Sequence, residues 1–371
     1  MHPVLRPLAA TAAATELRAK RVKAMLLPPL LLYLTIKTAA AALSTTMNIK
    51  SLHRYAVKGL SGDSLQNIPF QPGDGTFQDD RRFALLFDTS GGTKFDVHDP
   101  NWLHKENFLC AFTAPELLAS LDSEYRIDST ESSSSTNNIY STTAIQRLLT
   151  IWDRELGRSS PPLLGPIDLG SQLGRDETAE FFTQLCRRRV VCVVANNDHC
   201  ASRGNKILSN QHTHQFGNTS SGVKHNNGDT RTIHIVNENT VRQFSDAISH
   251  HGNSKRDLSL TATRFRPNII VDNLEPWAEF DLVGKTIEVV PTSGNTSGAV
   301  DNPLRFRVVS RTVRCAGIGI DPLHPEQGTL DVPSLLVEHF PQHGPYLGVY
   351  AVVDDTSYGG SIAVGDSFRL L

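Results

Sequence analysis

Cysteine is scarce in this 371-residue chain, with five residues (Cys110, Cys186, Cys192, Cys200 and Cys315), an odd set that contains no CxxC pair. That excludes a disulfide framework, leaves at least one thiol free, and fits a reducing, intracellular compartment. Net charge is nearly absent too, 36 Lys and Arg against 38 Asp and Glu, so no global positive field exists to hold DNA or RNA. Also missing are GxGxxG after a strand, GxxxxGK(S/T), HExxH and GxSxG, which leaves dinucleotide-binding, P-loop, zinc-protease and α/β-hydrolase readings without support. No activated serine, paired carboxylate or zinc triad stands out, so hydrolysis is disfavoured. What remains is a chain long enough for two ordinary domains that bury their own cores without staples.

Residues 1–46 differ from the rest. Arg6, Arg18, Lys20, Arg21, Lys23 and Lys37 face a single acid, Glu16, amid many alanines. This is the composition of an organelle transit peptide, mitochondrial in preference to plastid. Two alternatives stay open. One is a weak membrane anchor over residues 24–43, although the apolar run from Ala24 to Ile36 is broken by Pro28 and Pro29 and falls short of the roughly 20 residues a bilayer needs. The other is upstream sequence ahead of a start at Met47, which would make the protein cytoplasmic.

From Met47 the pattern is that of a mainly β (α+β) fold. Ile49–Val57 and Phe83–Phe87 read as short strands between turn-forming stretches, and residues 47–127 form a first β-barrel-like domain. Residues 128–165 read as an insertion: a polar low-complexity loop over Ser129–Asn138, then a helix over Thr142–Leu156 with Ile145, Leu148, Leu149 and Trp152 on one stripe. Residues 166–371 form the second domain, a β-barrel with a few packing helices. There a helix is expected over Asp176–Cys186 and another over Val332–Phe340. Strands are expected at Val190–Val194, Thr232–Val236, Asn268–Asp272, Thr286–Val290, Arg305–Val309, Tyr350–Val353 and Ser361–Leu370. The long polar stretch from Asn196 to Asp229 is either disordered or functional. Cys192, His199, Cys200, His212, His214 and His225 gather around it, but their spacing matches no standard zinc site, so solvated loop histidines are the default. The sequons at Asn218 and Asn295 matter only in a secreted chain.

Specific strings then become informative. LHRYAVKGL (Leu52–Leu60) followed by DRRFAL (Asp80–Leu85) resembles the N-terminal β-barrel domain that precedes MOSC domains. RFRPNIIVD (Arg264–Asp272), WAEF (Trp277–Phe280), RTVRC (Arg311–Cys315), IDP (Ile320–Pro322), PYLGVY (Pro345–Tyr350) and IAVGD (Ile362–Asp366) resemble the MOSC domain itself. The two-domain form is similar to the mitochondrial amidoxime reducing component and its bacterial relatives. The resemblance implies a molybdenum cofactor, a molybdopterin whose metal is held by one protein thiolate, here Cys315, which is also the catalytic candidate. It implies that Lys58, Arg81, Arg266, Asn268 and Arg314 contact the pterin and phosphate; separately, Asn239 and Thr240 precede Val241, Phe244 and Ile248 at helical spacing and would cap a helix whose amides face that phosphate.

The residue types suit those roles. A thiolate is a soft ligand, and Arg311 and Arg314 beside Cys315 would favour its ionised form; the plain alternative is a buried core cysteine in a strand. Guanidinium forks and helix N-termini bind phosphate, the plain alternatives being solvated charge and an ordinary N-cap. Gly59 stands where the amidoxime-reducing branch carries serine. The implied function is two-electron reduction of N-hydroxylated small molecules, with electrons from a separate cytochrome b5-like or ferredoxin-like protein. The alternative is a non-catalytic carrier of molybdenum cofactor or of sulfur on Cys315. A full cofactor sulfurase would need a further pyridoxal-phosphate domain of several hundred residues.

Overall fold

The structure is a computed structural model and describes residues 46–71, 73–88, 104–130, 144–195, 215–216, 231–249, 259–292, 303–354, 357 and 359–371. The amino-terminal segment, most of the low-complexity loop, the histidines from His199 to His225 and both sequons lie outside these residues. The first half contains β1 (Met47–Arg54), β2 (Asp63–Leu65), β3 (Asn67–Phe70), β4 (Phe83–Phe87), α1 (Pro115–Ala119), β5 (Leu121–Thr130), β6 (Ala144–Asp153), β7 (Leu164–Asp168), α2 (Gln172–Cys186) and β8 (Val190–Val194). The second contains β9 (Ile233–Asn237), α3 (Glu238–Ser249), β10 (Ile269–Asp272), β11 (Thr286–Val290), β12 (Arg305–Val313), α4 (Val332–His339), β13 (Tyr346–Val353), β14 (Gly360–Ala363) and β15 (Ser367–Leu370).

The mainly β expectation holds. Seven strands close into a barrel in the order β1, β10, β9, β13, β12, β11, β15 and back to β1, with β2 added outside β1. Only β9 and β10 run parallel; closure leaves no free edge among the staves. Ile49, Leu52, Ile235, Ile269, Ile287, Phe306, Val349 and Phe368 fill the interior. One stave comes from far upstream: β1 pairs with β10 through Ile49 and Val271 and with β15 through Met47 and Phe368. Beside the barrel, β4 pairs with β8, β5, β6 and β7 make a three-stranded antiparallel sheet, and α2 packs against β7 and β8.

The helix expected over Thr142–Leu156 is instead strand β6. It pairs with β5 over ten residues, from Leu121 opposite Asp153 to Thr130 opposite Ala144. Leu149 and Ile151, two apart, are buried, while Ile145 is 45% exposed. The apolar stripe at helical spacing was coincidental; the β-branched residues and a partner of equal length decided the outcome. The second expected helix exists as α2 but starts earlier, at Gln172, because the Ser171 hydroxyl accepts from Gly174 N and caps it. No helix among the described residues is long and apolar enough to cross a membrane.

Candidate functional site

Two separate strings of the first half are tied together by backbone bonds. Phe83 N donates to Ala56 O, Arg81 N to Tyr55 O and Lys58 N to Phe83 O, while Tyr55 N donates to the Asp80 carboxylate. This places Lys58 and Arg81 side by side at one end of the barrel. Gly59 follows with φ +96°, and a Cβ there would stand 3.0 Å from Cys110 Cα and 3.0 Å from a Leu118 methyl. The position therefore requires glycine both for its backbone and for space; a serine is not accommodated.

The barrel brings the other half. Arg266 leaves the 3₁₀ turn Ala262–Phe265 in a left-handed conformation, φ 55°, and Arg81 is left-handed as well, φ 50°. Such backbones cost a non-glycine residue about 1 kcal/mol or more. Both are held by neighbours: Arg266 O accepts from Arg81 Nη2 at 3.3 Å, and Arg266 N donates to Thr263 O. Arg314 and Cys315 follow directly on β12, with Arg314 Nη2 on Phe265 O at 2.9 Å and Nη1 3.4 Å from His234 Nε2. The Tyr55 ring lies under both Arg81 and Arg266, whose guanidinium carbons are 5.4 and 4.3 Å from its centroid.

Together these residues line a cleft of about 160 Å³. Lys58, Arg81, Lys105, Arg266 and Arg314 give it cations, Cys110 and Cys315 give it sulfur, His234, Phe112 and Tyr350 complete its walls, and no carboxylate is among the described residues that line it. Cys315 is exposed, just past the strand, and Cys110 is buried. The cations strain one another. Burial, with Arg81 and Arg266 adding to it, lowers Lys58 to about 8 against the opposing pull of the two sulfurs. Burial and then Arg81 lower Arg266 to about 10. Burial lifts Tyr55 to about 12, so it stays protonated. Burial and then Arg314 hold His234 well below its ordinary value, so its ring is neutral.

Of the residues expected from sequence, Lys58, Arg81, Arg266, Arg314 and Cys315 meet here. Asn268 sits behind them as a brace: its Oδ1 accepts from His234 N, and its Nδ2 donates to His53 O. Asn239 and Thr240 are elsewhere. His234 is near the start of β9 and α3 begins at its far end, roughly 13 Å on at about 3.3 Å per strand residue. Thr240 Oγ1 donates to Glu279 and accepts from Trp277 N, and Asn239 Nδ2 donates to Leu274 O. Cys192, in β8 opposite Leu85, is a packing thiol pushed up to about 12 by burial. Among the described residues no group of three or more His, Cys, Asp or Glu is placed to hold a metal ion.

Sequence reasoning missed Tyr55, Lys105, Cys110, His234 and Tyr350. Tyr55 carried a signal, since an aromatic three residues before the motif cation Lys58 offers it a face; Tyr350 stood inside a quoted string with no cation beside it, and Cys110 and Lys105 lay in unmarked sequence. None of the curated proteins compared with the chain matches it. The family model of the MOSC domain matches residues 222–369, which covers β9 to β15 and hence every barrel stave except β1. With the barrel, the RFRPN turn and the thiol after β12 in place, the chain carries a MOSC domain over residues 222–369, a domain type like the C-terminal part of molybdenum cofactor sulfurases.

Proposed function

We propose that the cleft holds a molybdenum cofactor and that the protein is a molybdenum-dependent reductase of N-hydroxylated small molecules, supplied with electrons by a separate cytochrome b5-like or ferredoxin-like protein. One observation carries the proposal: an exposed thiol shares a cleft with five cations and no carboxylate among the described lining residues. The fit rests on the donors. Arg266 Nη2 and Arg314 Nε are buried without a protein hydrogen-bond partner, so bonds are free for an anionic group, and buried cations are retained where an anion compensates them. Cys315 would be the metal ligand, and Arg266, Arg314, Arg81 and Lys58 would take the phosphate and pterin. When bound, the group supplies two-electron oxygen-atom chemistry.

The chain's own residues have definable tasks. Arg81 and Arg266, stacked on Tyr55, orient the anionic end of the ligand. Lys58 Nζ, near 8, holds a proton exchangeable close to neutral pH, as reduction that releases water requires. Neutral His234, packed 5.4 Å from the Tyr350 ring, keeps one nitrogen toward Arg314 and the other toward Arg266 O. The test is reduction of an amidoxime or hydroxamate by the full chain with a chemically reduced dye as donor. Turnover lost in Cys315→Ser supports the proposal; no turnover in metal-replete protein overturns the reductase assignment. The exposure of Cys315 favours a second reading, a carrier of cofactor or sulfane sulfur, which requires the same ligand without turnover.

A further inference from the structure

The cleft is made by two turns distant in sequence, one bearing Arg266 and the other Cys315, and besides the bond from Arg314 to Phe265 O a buried ion pair joins them. Arg264 is 1% exposed and Asp321 is 0% exposed. Arg264 Nη1 donates to Ile318 O at 3.2 Å and Gly319 O at 2.9 Å, its Nη2 reaches Gln327 Oε1 at 3.3 Å, and its Nε lies 3.5 Å from Asp321 Oδ2. Asp321 Oδ2 also accepts from Thr261 Oγ1 at 2.9 Å, and its Oδ1 accepts from Leu323 N. Ile318 closes the 3₁₀ turn that Cys315 begins, with Ile318 N on Cys315 O. Arg264 itself belongs to the 3₁₀ turn that hands the chain to Arg266.

We infer that Arg264 and Asp321 are positioning residues that set the Cys315 sulfur against the cations of the cleft. Neither lines the wall that holds the thiol; they act through the two turns. Two carbonyls converging on one guanidinium fix a turn in position and orientation, which lysine, a point donor, does not reproduce. The inference rests on the proposed ligand only for its consequence, because the thiol can be interrogated in cofactor-free protein.

The experiment compares Cys315 alkylation by iodoacetate and by iodoacetamide, read by peptide mass spectrometry on the full chain. In the wild type, the cations draw in the anionic reagent and raise its rate relative to the neutral one. The variant is Arg264→Met with Asp321→Asn, which removes the pair without leaving a bare buried charge; Arg264→Lys is the conservative control. The expected result is a fall in the iodoacetate-to-iodoacetamide ratio of about tenfold, together with a loss of molybdenum retention of about tenfold, as is common when a ligand's supporting partners are removed. Arg264→Lys should recover the thermal midpoint but not the ratio. General loosening would speed both reagents alike, and an unchanged ratio in a folded variant overturns the inference. If the ratio falls while even the wild type holds no molybdenum, the positioning role stands and the cofactor assignment fails.

Discussion

Two charge clusters lie near each other in sequence and differ in how their charge is balanced. Around Asp79, each carboxylate oxygen is used: Oδ1 accepts from Arg82 at 3.0 Å, and Oδ2 accepts from the Tyr125 hydroxyl at 2.7 Å and Arg147 Nε at 3.0 Å. In the cleft a few residues away, five cations meet no carboxylate among the described lining residues; buried Asp80 stands behind Arg81, 3.5 Å from its Nε, while Arg266 Nη2 and Arg314 Nε make no hydrogen bond within the protein. The first arrangement is a closed knot that holds β5 and β6 to the turn before β4. The second holds more cations than carboxylates. Balanced buried charge marks structure, and surplus buried charge marks a binding site.

The difference can be broken from either side. Asp79→Ala leaves Arg82 and Arg147 uncompensated and should cost about 3–5 kcal/mol in chemical denaturation. Arg266→Met should do the reverse: stability within about 1 kcal/mol of wild type, since a repelled cation is removed, but sulfate affinity lowered about tenfold through loss of a charge-assisted bond worth about 1.5 kcal/mol. Calorimetry on cofactor-free protein reads both quantities.

A pH titration sharpens the contrast. Lys58 has its folded value lowered to about 8 from 10.5, so the unfolded chain binds more protons between those values and stability should rise with pH across them. Sulfate does not titrate there, and its affinity should weaken as pH climbs through about 8, a dependence that Lys58→Arg removes. The smallest effect belongs to Glu279, raised by burial to about 7 and accepting from Thr240 and Asn237. Its stabilising contribution is present below about 4.5 and is lost as pH rises through about 7. Glu279→Gln should abolish that slope and stay within about 1 kcal/mol of wild type at pH 5.

The sequence was most legible where local chemistry decides. Strands β8 and β11 lie where the β-branched runs are and β4 lies on the Phe and Leu run Phe83–Phe87, and the motif cations and Cys315 line one cleft. It was least legible where a distant partner decides. Nothing in the stripe Ile145, Leu148, Leu149 shows that β5 would claim it, and nothing around Met47 shows that its strand would become a stave between β10 and β15. Thr240 failed for the same reason: its N-terminal position was readable, but its partner, buried Glu279, was not. Cys110 carries no local mark and enters the cleft only because Gly59 lets its backbone approach.

The most direct test is molybdenum and pterin content per chain, measured on full-length protein from a host that makes the cofactor, beside Cys315→Ser purified in parallel. The expected result is near-stoichiometric metal and pterin in the wild type and loss of the metal in a folded Cys315→Ser protein. Equal metal in both, or none in a well-folded wild type, would contradict Cys315 as the ligand and the cleft as the cofactor site.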